Sequence, residues 1–307
     1  MLGEIIAPTL FALDTQAFCF YTEPMTTQNR HKAHLDFSLP YELREQLRQE
    51  AMRTGYLEAD IVQQALRQLL STPKKGNAVY LSAPINALVE GFYVENTTVA
   101  QIKKHGDFGL GTFNYLDGEM VILDGVVYQV RSDGTATIAE DSEQSPFACA
   151  TFFRPDTFDD IAGTDEYKNI ETLLDTLIPS PNMLYAIRID GTFRHVKTRA
   201  VAKTENYTPL VEATKNQPVF DFHDVEGAMA GFFTPRFIET ITAPGYHLHF
   251  LTADRQHGGH VMGCALHKIR IGIQHVPLLE MGLPITLDFL TADLTRDTAK
   301  DLEKVEK

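Results

Sequence analysis

From residue 33 the chain opens on alternation: Leu35, Phe37 and Leu39 are apolar and His34, Asp36 and Ser38 lie between them, which predicts a short strand. Pro40 suits the first turn of a helix, and Leu43, Leu47 and Ala51 recur at helical spacing until Thr54-Gly55 stops the run. Ile61, Val62, Ala65, Leu66 and Leu69 form a second helical stripe, and Pro73 with Lys74-Lys75-Gly76 reads as a linker. The pattern divides the chain into a leader (1–32), a strand with two helices (33–72) and a body (77–307).

Within the body, Pro84 to Glu90 and Thr97 to Lys104 predict short helices, after which the period changes to two. Asp117-Gly118, Asp124-Gly125, Asp133-Gly134 and Asp190-Gly191 each interrupt an alternating run and predict tight hairpins. A helix is expected from about Thr157 to Leu177, ended by Ile178-Pro179, and a shorter one from Tyr207 to Asn216. The runs MLYAIRI, GTFRHVKTRAV, AMAGFFT, YHLHFLT and HVMGCAL alternate as strands. The class is α+β, with largely antiparallel sheets and flanking helices.

With 307 residues, 44% hydrophobic and 22% charged, the chain has the composition of a globular protein. Its formal charge of -14 repels phosphate backbones and anionic lipid, which argues against nucleic acid and membrane surfaces as partners. A small anionic ligand would need a local cationic centre, either a metal or a buried Arg. Three cysteines, Cys19, Cys149 and Cys264, are widely spaced and form neither a disulfide framework nor a zinc knuckle. No apolar run approaches the roughly 18 to 20 residues of a membrane helix. The first residues carry Glu4 and no early Lys or Arg, a poor secretory signal, so a cytoplasmic location is expected; Met25 is an alternative start.

The chemistry concentrates in PGYHLHFLTADRQHGGHVMGCALH. His247 and His249 are two apart on a predicted strand and project from one face. If Thr252 and His257 close a hairpin around Ala253 to Gln256, His249 lies opposite His260, which joins that face. Leu248, Phe250 and Val261 then point to the reverse side, with Leu248 opposite Val261, and His257 and His267 fall on the reverse parity. Three neutral imidazoles leave coordination positions open, the pattern of a catalytic metal site. Zinc is the simplest assignment, although imidazole also suits copper, iron, nickel and cobalt.

That stretch, with HGDFGLGTFNYLDGEMVILDGVVYQV and AIRIDGTFRHVKTRAV, resembles the acetolactate decarboxylase family over about residues 77–290. The resemblance implies two α+β lobes with the site between them, a homodimer, and conversion of 2-acetolactate to acetoin and carbon dioxide through an enediolate. It also implies zinc on His247, His249 and His260, a proton-donating Glu119 in LDGEM, and Arg199 in KTRAV gripping the substrate carboxylate. Glu303 and Glu306 are candidate further ligands, but the charged tail DLTRDTAKDLEKVEK reads as a solvated helix and both are left outside the site. Residues 33–72 weakly resemble a ribbon-helix-helix module, here read as a dimerisation element, since Asp36 stands where a DNA reader would face acceptor-rich base edges. Two other readings stay open. PGYHLHF resembles a cupin metal motif without its expected Glu, and a body that senses a small acid could serve a DNA-binding regulator.

Overall fold

The structure is a computed structural model that describes residues 38–62, 77–162 and 170–306. The chain divides into two compact units at residues 69 and 70. In the first, a helix runs Tyr41–Thr54 and ends where the sequence predicts: Gly55 takes the left-handed conformation (φ 74°) and its N–H donates to the Ala51 carbonyl. Residues 58–62 begin a second helix. The predicted strand around Leu35 and Phe37, and most of the second stripe, lie outside the described residues.

In chain order the strands of the second unit are β1 (Ala78–Leu81), β2 (Thr97–Thr98), β3 (Phe108–Thr112), β4 (Glu119–Leu123), β5 (Val126–Val130), β6 (Ala136–Ile138), β7 (Gln144–Ser145) and β8 (Ala148–Thr151). They continue with β9 (Thr157–Ala162), β10 (Leu184–Arg199), β11 (Val219–Thr234), β12 (Gly245–Thr252), β13 (Gly258–Val276) and β14 (Leu278–Met281). Among the described residues one sheet has the order β14-β1-β8-β3-β4-β5-β6, antiparallel except at β1–β14, and a second has the order β10-β11-β12-β13-β9. Because β10 also pairs with β13, four strands of the second sheet close into a ring with β9 on its outside. Strands and short helices mix as an α+β fold requires.

Local chemistry explains where the predicted turns hold. Asp124 and Gly125 both have positive φ (53° and 79°) and join β4 to β5 in two residues, the backbone that an Asp-Gly pair tolerates. At Asp133-Gly134 the Gly134 N–H donates to the Arg131 carbonyl and the chain returns as β6. Val99–Ile102 is helical, opened by a capping box between Thr98 and Gln101, and Ile85–Val89 is a second short helix.

Four expectations are corrected. Asp190-Gly191 lies inside the sixteen-residue β10, flanked by β11 and β13; a Cβ on Gly191 would stand 2.2 Å from the Lys268 carbonyl oxygen, so this glycine admits the close approach of a neighbouring backbone. Asp117-Gly118 ends a longer connection through a 3-10 turn, Asn114–Leu116. The expected helix from Thr157 is instead strand β9 followed by a helix Ile170–Leu177, because residues 157–162 find the open edge of β13. Tyr207–Asn216 contracts to one turn, Leu210–Ala213, since Tyr207 is left-handed (φ 68°) and Pro209 has no N–H to continue a helix backwards.

The two sheets face each other across a core of Leu110, Val121 and Leu123 from the first and Ala186, Ala230, Phe232 and Leu251 from the second. On the reverse side of the second sheet, Leu248 and Phe250 pack with Ile187, Phe193, Met229 and the helix residues Leu173 and Leu174. The alternate residues of β12, His247 and His249, are thereby turned toward the first sheet. Among the described residues no helix is long and apolar enough to cross a membrane.

Candidate metal centre

The predicted hairpin forms in the predicted register. Thr252 N–H donates to the His257 carbonyl at 2.9 Å, and His249 lies directly across from His260. At His260 strand β13 leaves β12 and passes to β10, so Val261 pairs with Thr198 rather than with Leu248. The handover has a consequence for the site: His260 is also the cross-strand partner of Arg199. Arg199, His260 and His249 therefore stand in one row across β10, β13 and β12, and His247 is the next residue on the same face of β12.

The donor atoms of His247, His249 and His260 lie within 4.8 Å of one another. Nε2 of His247 and Nε2 of His249 are 3.2 Å apart. His249 meets the Met120 carbonyl oxygen at 2.8 Å through Nδ1. A carbonyl only accepts, so Nδ1 carries the proton and the Nε2 lone pair faces the cavity. Arg199 Nη2 donates to His260 Nε2 at 3.1 Å, which identifies that nitrogen too as a lone pair. Burial, and then the Arg199 charge, push His247 down to about 3; burial and the His247 charge hold His249 far below the usual histidine range. The rings are neutral at physiological pH, as metal ligands must be.

The residues present fit a metal ion. Nitrogens bound to a tetrahedral zinc at about 2.0–2.1 Å sit about 3.3 Å apart, close to the separation of the two Nε2 atoms. Without a metal that 3.2 Å contact is a hydrogen bond, His247 Nε2–H donating to the His249 Nε2 lone pair, and a bound ion would take the place of that proton.

The first sheet supplies a carboxylate. Glu119 opens β4 and is buried, with Oε2 at 3.5 Å from His249 Nε2, and its Oε1 accepts from the Val201 N–H at 3.3 Å. Consecutive residues thus serve one site, Glu119 by its side chain and Met120 by its carbonyl. The cavity is lined by the three histidines, Glu119 and Arg199, with apolar walls from Ile85, Leu88, Leu116 and Val305. All five predicted site residues meet there. His257 turns away to the Gly134 carbonyl and His267 is exposed.

The tail differs from its expectation. Residues Ala299–Glu306 form a helix that buries Leu302 and Val305 against the core, and Arg199 Nη2 donates to the Val305 carbonyl. Glu303 lies on its exposed side. Neither Met120 nor Val305 was legible as part of the site, since each contributes a backbone carbonyl that any residue carries.

Three neutral imidazoles, a carboxylate and a guanidinium around one cavity between two sheets define a metal-site enzyme fold of the α+β class. The alpha-acetolactate decarboxylase family model matches residues 79–296, and the chain belongs to that family. It is 42% identical to the alpha-acetolactate decarboxylase of Bacillus subtilis strain 168, over 78% of this chain and 96% of the relative. Identity to the Methanosarcina mazei alpha-acetolactate decarboxylase is 39%, over 75% and 81%. A crystal structure of the Bacillus subtilis enzyme superposes with a TM-score of 0.72 over 75% of this chain and 99% of that one. A Staphylococcus aureus protein described as similar to alpha-acetolactate decarboxylase matches with a TM-score of 0.69 at 25% identity, over 74% and 98%. Family membership decides against the cupin reading of PGYHLHF.

Proposed function

We propose that the protein is a carboxy-lyase that decarboxylates 2-acetolactate to acetoin, with zinc held by His247, His249 and His260. The observation that carries this reading is the row Arg199–His260–His249 facing Glu119 in a chain of this family. A divalent metal on the three imidazoles would supply a Lewis acid for the adjacent carbonyl and hydroxyl oxygens of the substrate.

The chain's own residues would do the rest. The planar guanidinium of Arg199 binds the substrate carboxylate with two parallel hydrogen bonds, the local cation that a chain of net charge -14 otherwise lacks. When the bond from the carboxylate carbon to C2 breaks, its electron pair moves into C2–C3 and onto the C3 oxygen, giving an enediolate. Glu119 then gives a proton to C2 on the face it occupies, which fixes one configuration in the acetoin. The apolar walls, Ile85, Leu88, Leu116 and Val305, take the methyl groups and exclude water.

The protein is further proposed to act as a homodimer. Leu283, Ile285, Leu287 and Leu290 are each more than 60% exposed on one short stretch, an apolar strip larger than single scattered side chains make. Free thiols at Cys149 and Cys264 suit a reducing compartment such as the cytoplasm.

The test is acetoin formation from racemic 2-acetolactate by purified protein before and after chelation, with metal analysis and zinc add-back. Activity that is lost on chelation and restored by zinc supports the reading. No acetoin from folded, zinc-loaded protein overturns it.

A further inference from the structure

The helix Ala299–Glu306 lies beyond the residues the family model matches, yet its Val305 is both a wall of the cavity and a hydrogen-bond partner of Arg199. What keeps it seated is a small set of contacts. Leu302 and Val305 bury their side chains. At the helix's N-terminal side one residue ties it to the body: Arg296 Nε donates to Glu90 at 2.5 Å, and its Nη1 donates to Asp301 in the first turn at 2.6 Å. Glu90 caps the helix Ile85–Val89, whose Ile85 and Leu88 line the cavity. Arg296 therefore joins two walls of the site from outside.

The seat is not tightly satisfied. Among the described residues the Thr298 hydroxyl, one residue before the helix, and the Asn86 side-chain oxygen are buried without a hydrogen-bond partner, and Asn86 meets the tail through its Nδ2 bond to the Leu294 carbonyl. Buried unpaired polar atoms weaken the closed arrangement, so the two ion pairs at Arg296 add to what the burial of Leu302 and Val305 supplies. Asp301 is held below the ordinary carboxylate range by Arg296, which agrees with a close, oriented pair.

We propose that Arg296 is a latch: it holds the C-terminal helix against the cavity so that the Val305 carbonyl orients the Arg199 guanidinium, making Arg296 a positioning residue for recognition of a substrate carboxylate. The carboxylate part rests on the function proposed above; the latch itself does not. Arg296 is half exposed and touches no ligand of the proposed metal, so replacing it leaves the metal centre and both sheets in place.

The experiment compares the full-length protein with Arg296→Met, Arg296→Lys and Asp301→Asn. Arg199 reactivity is followed by phenylglyoxal modification and peptide mass mapping, and steady-state kinetics with 2-acetolactate run in parallel. In Arg296→Met, Arg199 labelling is expected to speed up about two- to thirtyfold, the change that loss of two exposed ion pairs allows. KM should rise by a similar factor while kcat changes much less. Arg296→Lys should recover part of both effects, and Asp301→Asn should give a smaller version of the same change. Labelling of Arg199 at the wild-type rate in Arg296→Met overturns the latch, and so does a fall in kcat at constant KM. Faster labelling in a protein whose wild type makes no acetoin upholds the latch and sinks the decarboxylase reading instead.

Discussion

His249 receives its orientation from a neighbour with no side-chain role. The Met120 carbonyl accepts the Nδ1 proton, and the residue before it, Glu119, points its carboxylate at the other side of the same ring. Replacing Glu119 by Gln keeps size and polarity but removes the proton; kcat should fall on the order of 100- to 10,000-fold with metal content unchanged, as metal analysis beside the acetoin assay would show. The neutral rings also predict an acid dependence. His247 has a folded-state value near 3 against an ordinary 6.5, so below 6.5 the unfolded chain takes up a proton that the folded protein refuses. The metal-free protein should hold its full stability above that value and lose it progressively as pH falls toward 3. Urea midpoints of chelated protein measured between pH 7.5 and pH 4 test this, and His247→Asn should flatten the slope; a midpoint indifferent to pH would contradict it. The histidines were legible because residue spacing on a hairpin is arithmetic. Glu119 and Arg199 were legible only through the family resemblance, since a Glu after Asp-Gly and a strand Arg are ordinary residues.

Among the elements, the hairpin from β12 to β13 was readable from Thr252 to His257, and the turn at Asp124-Gly125 from its residue types. Asp190-Gly191 misled because the same dipeptide serves a second purpose, the close approach of Lys268 to a glycine in a continuous strand. Strand β9 misled because nothing local distinguishes TFDDIA from a helix start; a partner edge 110 residues away decides it, as in the pairing of Asp160 with Arg270. Gly259 is where these constraints meet the site. Its φ of 136° is foreign to other residues, and a Cβ would stand 2.5 Å from the Arg199 carbonyl oxygen. Gly259→Ala should cost more than about 1 kcal/mol in chemical denaturation and weaken metal retention, because it pushes β13 off β10 beside His260. An unchanged midpoint with full metal content would show that the strand contact tolerates a methyl group.

At the scale of the whole molecule, the pairing of β10 with both β11 and β13 could not be read from periodicity, which reports the face of a residue and not its neighbours. The α+β class could. The body and the N-terminal helices are separate compact units, and the family match begins at residue 79, so a chain starting at Asn77 should fold and keep the catalytic constants of the full protein within about twofold, the usual latitude for changes distant from a site. Loss of activity in that shorter chain, folded by circular dichroism, would assign the N-terminal unit a part in the reaction.

Strand β13 changes partners at His260, with His249 on one side and Arg199 on the other. A slip of one residue in the β12–β13 hairpin would turn His260 away from His247 and His249, because strand side chains alternate. Chelation of the three rings thus reads whether the β12–β13 pairing has closed in the right register. An ion captured late in folding would act as a proofreader of that hairpin, stabilising the chain with this register and leaving forms mispaired there without its bonus. Metal supply during synthesis would then govern how much correctly folded protein accumulates, apart from any part the ion plays in turnover.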